Sequence, residues 1–443
     1  MVSRRAYKRV KVNAVEVDSL LSAAGGKHSA VLGLDIGKDE IVACLRWGID
    51  DYERPWSVSN PVEIGALVEL CKKIVNHPVE LTIALESTGT YGDCVRLAMT
   101  KADLSIKRIG GKHVSDYAEA FDGVPSQHDG KDAAVIAELC AIGKGVAWPY
   151  EPPSDALSEI CFHIRRMDVF QNEIVQWSGR LESQLARHWP ELSKLVKPGR
   201  ISVLSLLVKY GGPSLVSTSQ SVVDEIKSWS KGKISEAKAC SIVHSAQRTL
   251  GVPMASHDKQ WLQEICQRIL ELKRRVSACD KKLRVLLKKD AFWSQYVDSV
   301  SAGTLGVILS TVGDPRQYAS AGAFVKACGL NLKELSSGKR VGEKAISKRG
   351  PSMVRRWLYF WAMRSVQREE LREWYHRFHN QGYGDRDRPS SHRKMKGIIC
   401  LMRKLVRSLW SSVQQGQPFE YSKVVGSPAK AKRRRRRKAR TRQ

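Results

Sequence analysis

The stretch that most constrains this chain is Ala30-Val31-Leu32-Gly33-Leu34-Asp35-Ile36-Gly37, an apolar run with a carboxylate at its exit. Apolar runs of this length bounded by turn residues suit a central strand covered on both faces. An Asp leaving such a strand is costly unless a cation meets it, so Asp35 is a candidate metal ligand. The competing reading is an Asp that merely opens a turn. The pattern recurs at Leu81-Thr82-Ile83-Ala84-Leu85-Glu86, a second buried strand ending in an acid. A third acidic element is Asp129-Gly130-Lys131-Asp132-Ala133, which opens a helix whose Ala133, Ile136, Ala137 and Cys140 face a core. Asp129 and Asp132, three apart, project from one helix face and repel each other in the absence of a cation. First-turn acids also complement the helix dipole, which needs no further role.

The elements between these motifs give a definite order. Strands over 30–37 and 40–47 are joined through Gly37-Lys38-Asp39, and a short extended segment at 54–58 completes a meander. A helix opened by Pro61 and ending near Asn76, the strand 81–86, a helix over 91–101, a strand over 105–109, a helix from 113 and the acid-bearing helix follow. That order predicts an α/β ribonuclease-H-like sheet, in which Asp35, Glu86, Asp129 and Asp132 converge. Hard oxygen ligands suit Mg²⁺ or Mn²⁺. Four carboxylates could hold two ions, which stabilise the attacking and leaving oxygens of a phosphodiester displacement.

At 443 residues the chain calls for two or three domains. It carries 74 Lys and Arg against 45 Asp and Glu, a net +29; ten of the cations lie between Lys430 and Arg442, leaving +19 on the body. A surplus of that size favours nucleic acid as partner. No long apolar span or amphipathic anchor supports a membrane. The ten cysteines include no CxxC or CxxH pair and read as reduced core thiols of a cytoplasmic protein, without a zinc site or disulfide frame. No secretory signal follows the basic N-terminus.

Two heptad seams occupy the middle: Leu157, Ile160, Ile164, Met167, Gln171, Ile174, Ser178, Leu181 and Leu185, then Leu262, Ile265, Ile269, Leu272, Val276, Cys279, Leu283 and Leu286. They predict a long antiparallel coiled coil, with ordinary core helices as the alternative. Between the seams lies a small helical insertion. Farther on, helices over 304–312 and 320–328 lead to Ser336-Ser337-Gly338-Lys339-Arg340, then Lys348, Arg349, Arg355 and Arg356. A hydroxyl on a Gly loop among six cations is what a nucleophile attacking phosphate needs. Plain phosphate contact is the simpler use of the same residues. Helices over 353–368 and 394–414, separated by a polar loop at 382–391, close a mainly helical C-terminal domain, and the tail from 430 reads as disordered.

In combination, Gly-Leu-Asp35-Ile-Gly, Glu86-Ser-Thr-Gly-Thr-Tyr, Asp129-Gly-Lys-Asp132-Ala, Ser337-Gly, Ile346-Ser-Lys-Arg-Gly350, Met402-Arg-Lys-Leu405 and Gly416-Gln-Pro-Phe419 resemble the DEDD transposases of insertion-sequence family 110. The resemblance runs from about residue 30 to 420. It implies a RuvC-like domain (30–150) whose four acids bind Mg²⁺ and a coiled coil (151–290), whereas the basic arm (1–29) lies outside it and the insertion at about 189–257 exceeds a minimal member. A transposase domain (291–420) whose serine attacks DNA and a basic tail (421–443) complete the chain. It further implies recombination guided by a structured RNA from the element, by dimers that pair into tetramers, with Ser337 as a transient phosphoserine. Acids of a partner subunit would complete the site. Rival readings are a RuvC-like nuclease using metal-activated water, an actin-like small-molecule kinase, and a non-enzymatic nucleic-acid-binding protein.

Overall fold

The structure, a computed structural model, describes residues 8–49, 51–86, 89–124, 128–337, 340–380 and 390–425. The chain divides into two compact units, residues 1–152 and 153–443.

The first unit is built on a mixed sheet of eight strands: β1 (Val10–Lys11), β2 (Ser29–Ile36), β3 (Glu40–Trp47), β4 (Asp51–Tyr52), β5 (Trp56–Ser59), β6 (Glu80–Glu86), β7 (Ser105–Ile109) and β8 (Val146–Ala147). Their order is β1-β5-β3-β2-β6-β7-β8, with β4 on β3. β5, β3 and β2 form an antiparallel meander, and β6 and β7 continue it parallel to β2. This arrangement is consistent with the ribonuclease-H-like expectation. The helices are α1 (Val17–Ala24), α2 (Ile64–Val75), α3 (Asp93–Lys101), α4 (Gly111–Asp122) and α5 (Asp129–Ala141). Leu32, Leu34 and Ile36 pack into one core with Leu67, Cys71, Ile74, Val95 and Met99 of α2 and α3. On the other face Val31, Val42, Cys44 and Ala84 meet α5. Burial on both faces explains the unbroken apolar run of β2.

The basic N-terminal arm carries structure from residue 10: β1 pairs with β5 in parallel, and Val12, Leu20 and Ala24 are buried in the sheet core. β3 too is covered on both faces, and even Arg46 is only 7% exposed.

The second unit opens with α6 (Asp155–His188), followed by the small helices α7 (Pro190–Leu195), α8 (Ile201–Tyr210), α9 (Pro213–Thr218), α10 (Val222–Ser230) and α11 (Glu236–Gln247), and then α12 (Ser256–Lys289). Ile160, Ile164 and Met167 from the start of α6 share a core with Leu272, Cys279 and Leu283 from the end of α12. Leu181 and Leu185 from the other end share one with Leu262, Ile265 and Ile269. The two helices therefore run antiparallel, buried along much of the heptad seam, and the small helices fill the second of these cores.

α13 (Ala291–Val300), α14 (Ala302–Thr311), α15 (Ala321–Ala327), β9 (Leu332–Ser337), β10 (Arg340–Ile346), α16 (Ser352–Ser365), α17 (Glu369–Asn380) and α18 (Ser390–Gln414) complete the unit. Their core, with Leu305, Phe324, Trp361, Leu401 and Leu405, is continuous with the first core of the long helices. α17 is an element the sequence reading did not contain. Most of the expected polar loop, residues 381–389, and the basic tail from 426 lie outside the described residues. Among the described residues no helix is long and apolar enough to cross a membrane.

Candidate active site

Asp35 stands one residue before the end of β2, and Glu86 is the last residue of β6. The two strands are parallel neighbours, with Leu34 opposite Leu85, so both acids leave the same edge of the sheet. Asp129 and Asp132 occupy the first turn of α5. Three features bring that turn to the strand ends. Gly33 lets α5 lie directly on β2: a Cβ there would stand 2.0 Å from the Ala133 carbonyl oxygen. Arg46 of β3 donates from Nε to Glu138 of α5 at 2.7 Å, and the Tyr52 hydroxyl donates to the same carboxylate at 2.6 Å. Lys131, 1% exposed, donates from Nζ to Asp122 Oδ1 and to the Val124 carbonyl, each at 2.6 Å, and ties α5 to the end of α4.

Glu86 is held from another side. A Cβ on Gly111 would lie 2.2 Å from Glu86 Oε1, so the carboxylate rests against the first residue of α4, where the helix dipole favours an anion.

The electrostatics of the cluster follow from this crowding. The Asp35 carboxyl is pushed up to about 6, first by burial and then by Asp132, Asp129 and Glu86, against a backbone hydrogen bond from Ile36 that favours the ionised form. Burial and Asp132 raise Glu86; burial and Asp129 raise Asp132, against the pull of Lys131 and His128. Asp35, Glu86 and Asp132 thus each carry an unfavourable charge that a cation would relieve. Asp129 is engaged differently. Its carboxylate pairs with the Arg9 guanidinium, which also pairs with Glu40. Among the described residues no three His, Cys, Asp or Glu side chains stand at ligation geometry for an ion. The donor set is nonetheless all hard oxygen, and its mutual repulsion is what a divalent cation neutralises.

The expected serine lies in the second unit on a hairpin, not on a loop: Ser337 ends β9, opposite Arg340 of β10. The side chains of Ser337 and Arg340, and Lys339 altogether, lie outside what is described. Of the basic residues expected on nucleic acid, Lys348 and Arg349 are exposed just after the hairpin. Two others are used in the fold. Arg355 donates to the Gly350 carbonyl at 2.7 Å, and Arg356 pairs with Asp168 and donates to Asn172 at 3.1 Å, tying α16 to α6. Sequence reasoning missed Arg9, Lys131 and the Arg46–Glu138 pair. Only Lys131 had a visible signal, since it sits on a helix that is buried nearly all round.

Two family models match the chain. One, a DEDD transposase model described as "Transposase", matches residues 32–190; the other, described as "Transposase IS116/IS110/IS902 family", matches residues 296–377. Together they span more than half of the chain, the first over the four acids and the second over Ser337. No curated protein matches it.

Proposed function

The chain belongs to the IS116/IS110/IS902 transposase family and is a DNA transposase, and from that premise we propose that it cuts and rejoins DNA by serine attack assisted by a divalent cation on its four carboxylates. The observation that carries the reading is the convergence of Asp35, Glu86 and Asp132, each raised by burial and by its neighbours. Asp35, Glu86, Asp129 and Asp132 would hold Mg²⁺ or Mn²⁺. When bound, the ion supplies positive charge to a phosphodiester oxygen and a fixed point of orientation.

The remaining chemistry belongs to the chain. The Ser337 hydroxyl forms a bond to phosphorus as one phosphorus–oxygen bond to deoxyribose breaks; the hydroxyl proton ends on the released sugar oxygen. One phosphoester replaces another, so the reverse step with a different sugar hydroxyl rejoins strands without an external energy source. Water attack conserves no such bond, and a recombinase must rejoin what it cuts. Lys339, Arg340, Lys348 and Arg349 would neutralise the phosphates that flank the attacked one. By the same reading the two long helices form a coiled coil through which subunits associate as dimers or tetramers, and a structured RNA from the element selects the DNA sites.

The test is strand exchange between element-end and target duplexes by the full chain, with co-purifying RNA retained and sequenced. Ser337→Ala is expected to abolish covalent protein–DNA adducts and joined products, and Asp35→Asn to lower both by at least about 10²-fold. Cleavage that survives Ser337→Ala would replace the serine by metal-activated water. The absence of RNA mapping beside the gene would remove the guide.

A further inference from the structure

Residues 191–255, between α6 and α12, lie outside both matched stretches. They form a small helical body on the core they share with the end of α6 and the start of α12, with Leu192, Leu204, Leu207, Val216, Ile226 and Ile242 fully or almost fully buried. This body has an open cleft of about 480 Å³. Its lining includes Lys194, Lys197, Arg200, Lys233 and Lys238, and no acid.

The five cations are not a random share of a basic surface. Residues 189–257 hold nine Lys and Arg and four Asp and Glu. Three of the acids are engaged elsewhere: Glu225 with Lys209 at 2.6 Å, Glu236 with Lys227 at 2.8 Å, and Glu191 as acceptor from Thr249 Oγ1 and the Leu250 N–H. The fourth, Asp224, is on α10 and does not line the cleft. Among the described residues none of the five cleft cations forms an ion pair. The body thus leaves five cations outside its ion pairs, gathered around one concavity, with Glu191 close enough to Lys194 to be held ionised in part by it.

Two helices add to the field. Arg200 and Ser235, both on the rim, are the residues from which α8 and α11 begin, so two positive helix ends open at the cleft. Its floor is fixed by Val196 and Ile234, 7% and 4% exposed.

We propose that this cleft, through Lys194, Lys197, Arg200, Lys233 and Lys238, grips the phosphate backbone of a double-helical nucleic acid. The inference rests on the chain being a DNA transposase and is independent of the serine mechanism. No aromatic side chain lines the cleft, so it has no platform on which to stack an unpaired base. Its lysines, its arginine and the hydroxyls of Ser193 and Ser235 are the groups that most often contact phosphate oxygens, contacts that carry no sequence information. The grip is therefore insensitive to sequence. A duplex, whose closely spaced phosphates present a continuous rail, suits five cations gathered in one concavity.

The experiment compares the full-length protein with the triple variant Lys197→Ala, Arg200→Ala, Lys238→Ala. Two probes are used, a short duplex DNA of arbitrary sequence and an RNA hairpin of arbitrary sequence, across about 50 to 200 mM salt. On the probe that occupies the cleft, the slope of log affinity against log salt should flatten by about 2–3, roughly 0.9 per lost phosphate contact on DNA and somewhat less on RNA. Affinity at low salt should fall at least tenfold. The probe that responds identifies the ligand as duplex DNA or folded RNA. Lys231→Ala, a cation of the same body outside the cleft, should change neither quantity. Should the triple variant melt early, the single charge reversal Lys197→Glu, at an exposed site, should lower affinity on the same probe and flatten the slope by about 1. Unchanged slope and affinity on both probes in a normally melting variant overturns the proposal. Joined products lost by Ser337→Ala but retained by the triple variant at low salt would uphold the serine reading whatever the cleft does.

Discussion

At the scale of single residues, the site is a set of like charges held close by partners that are distant in sequence. Asp35 is the clearest case, because burial and three neighbouring acids raise it to about 6. A carboxyl whose folded value lies above its unfolded value near 3.8 keeps its proton longer in the folded state. The cost of ionising it grows as pH rises from about 4 to 6 and is complete above that. Asp35→Asn is therefore expected to raise the melting temperature of the chelator-treated protein at pH 8, with the difference closing by pH 4. Adding Mn²⁺ should raise the melting temperature of the wild type and leave that of the variant nearly unmoved. A variant that melts earlier than wild type at pH 8 would contradict the crowding argument. Lys131 gives a second test. It is 1% exposed and Asp122 13%, and Lys131→Met leaves the Asp122 carboxylate without this cation, at a cost of about 3–5 kcal/mol in denaturant unfolding. Asp35 and Glu86 were legible because a charge that ends an apolar run stands out. Arg9 was not, because its partner Asp129 is 120 residues away and nothing local marks the pair.

At the scale of elements, the position of α5 decides whether four acids form one site. Its contact with β2 is so close at Gly33 that any side chain there displaces the helix. Gly33→Ala should destabilise the first unit by about 1–3 kcal/mol, the usual cost of overpacking, and lower strand exchange further than the stability loss explains, because the acid-bearing turn shifts with the helix. A variant with wild-type Mn²⁺ stabilisation and full activity would show that α5 is not what places the acids. The meander and the acid-bearing strands were readable as apolar runs bounded by turn residues, and the heptad helices by a periodicity sustained over many residues. Elements that borrow their stability were not. β1 has two residues and exists through its pairing with β5. The arm around it was read from its charge, although Val12 and Leu20 are buried. β9 and β10 were taken for a Gly loop because Ser, Gly, Lys and Arg mask a strand signal that cross-strand pairing supplies.

At the scale of the whole molecule, the question is which part of +29 acts on nucleic acid. Ten positive charges lie within residues 430–442 and at least five more line the cleft between α6 and α12, and these two sets should behave differently. Charge concentrated in a terminal run acts through long-range attraction and counterion release, both of which decline with salt. Charge fixed around a rigid concavity contacts phosphates in one geometry. Deleting residues 430–443 is therefore expected to slow association at low ionic strength and to lower affinity for any duplex, whereas products joined per bound complex stay unchanged. By about 200 mM salt, where the screening length is shorter than 10 Å, truncated and full-length proteins should converge in association rate. Association kinetics at several salt concentrations, read beside single-turnover joining, separate the two roles. If the truncated protein binds normally but fails to join strands, the tail belongs to the catalytic assembly and not to its electrostatic approach.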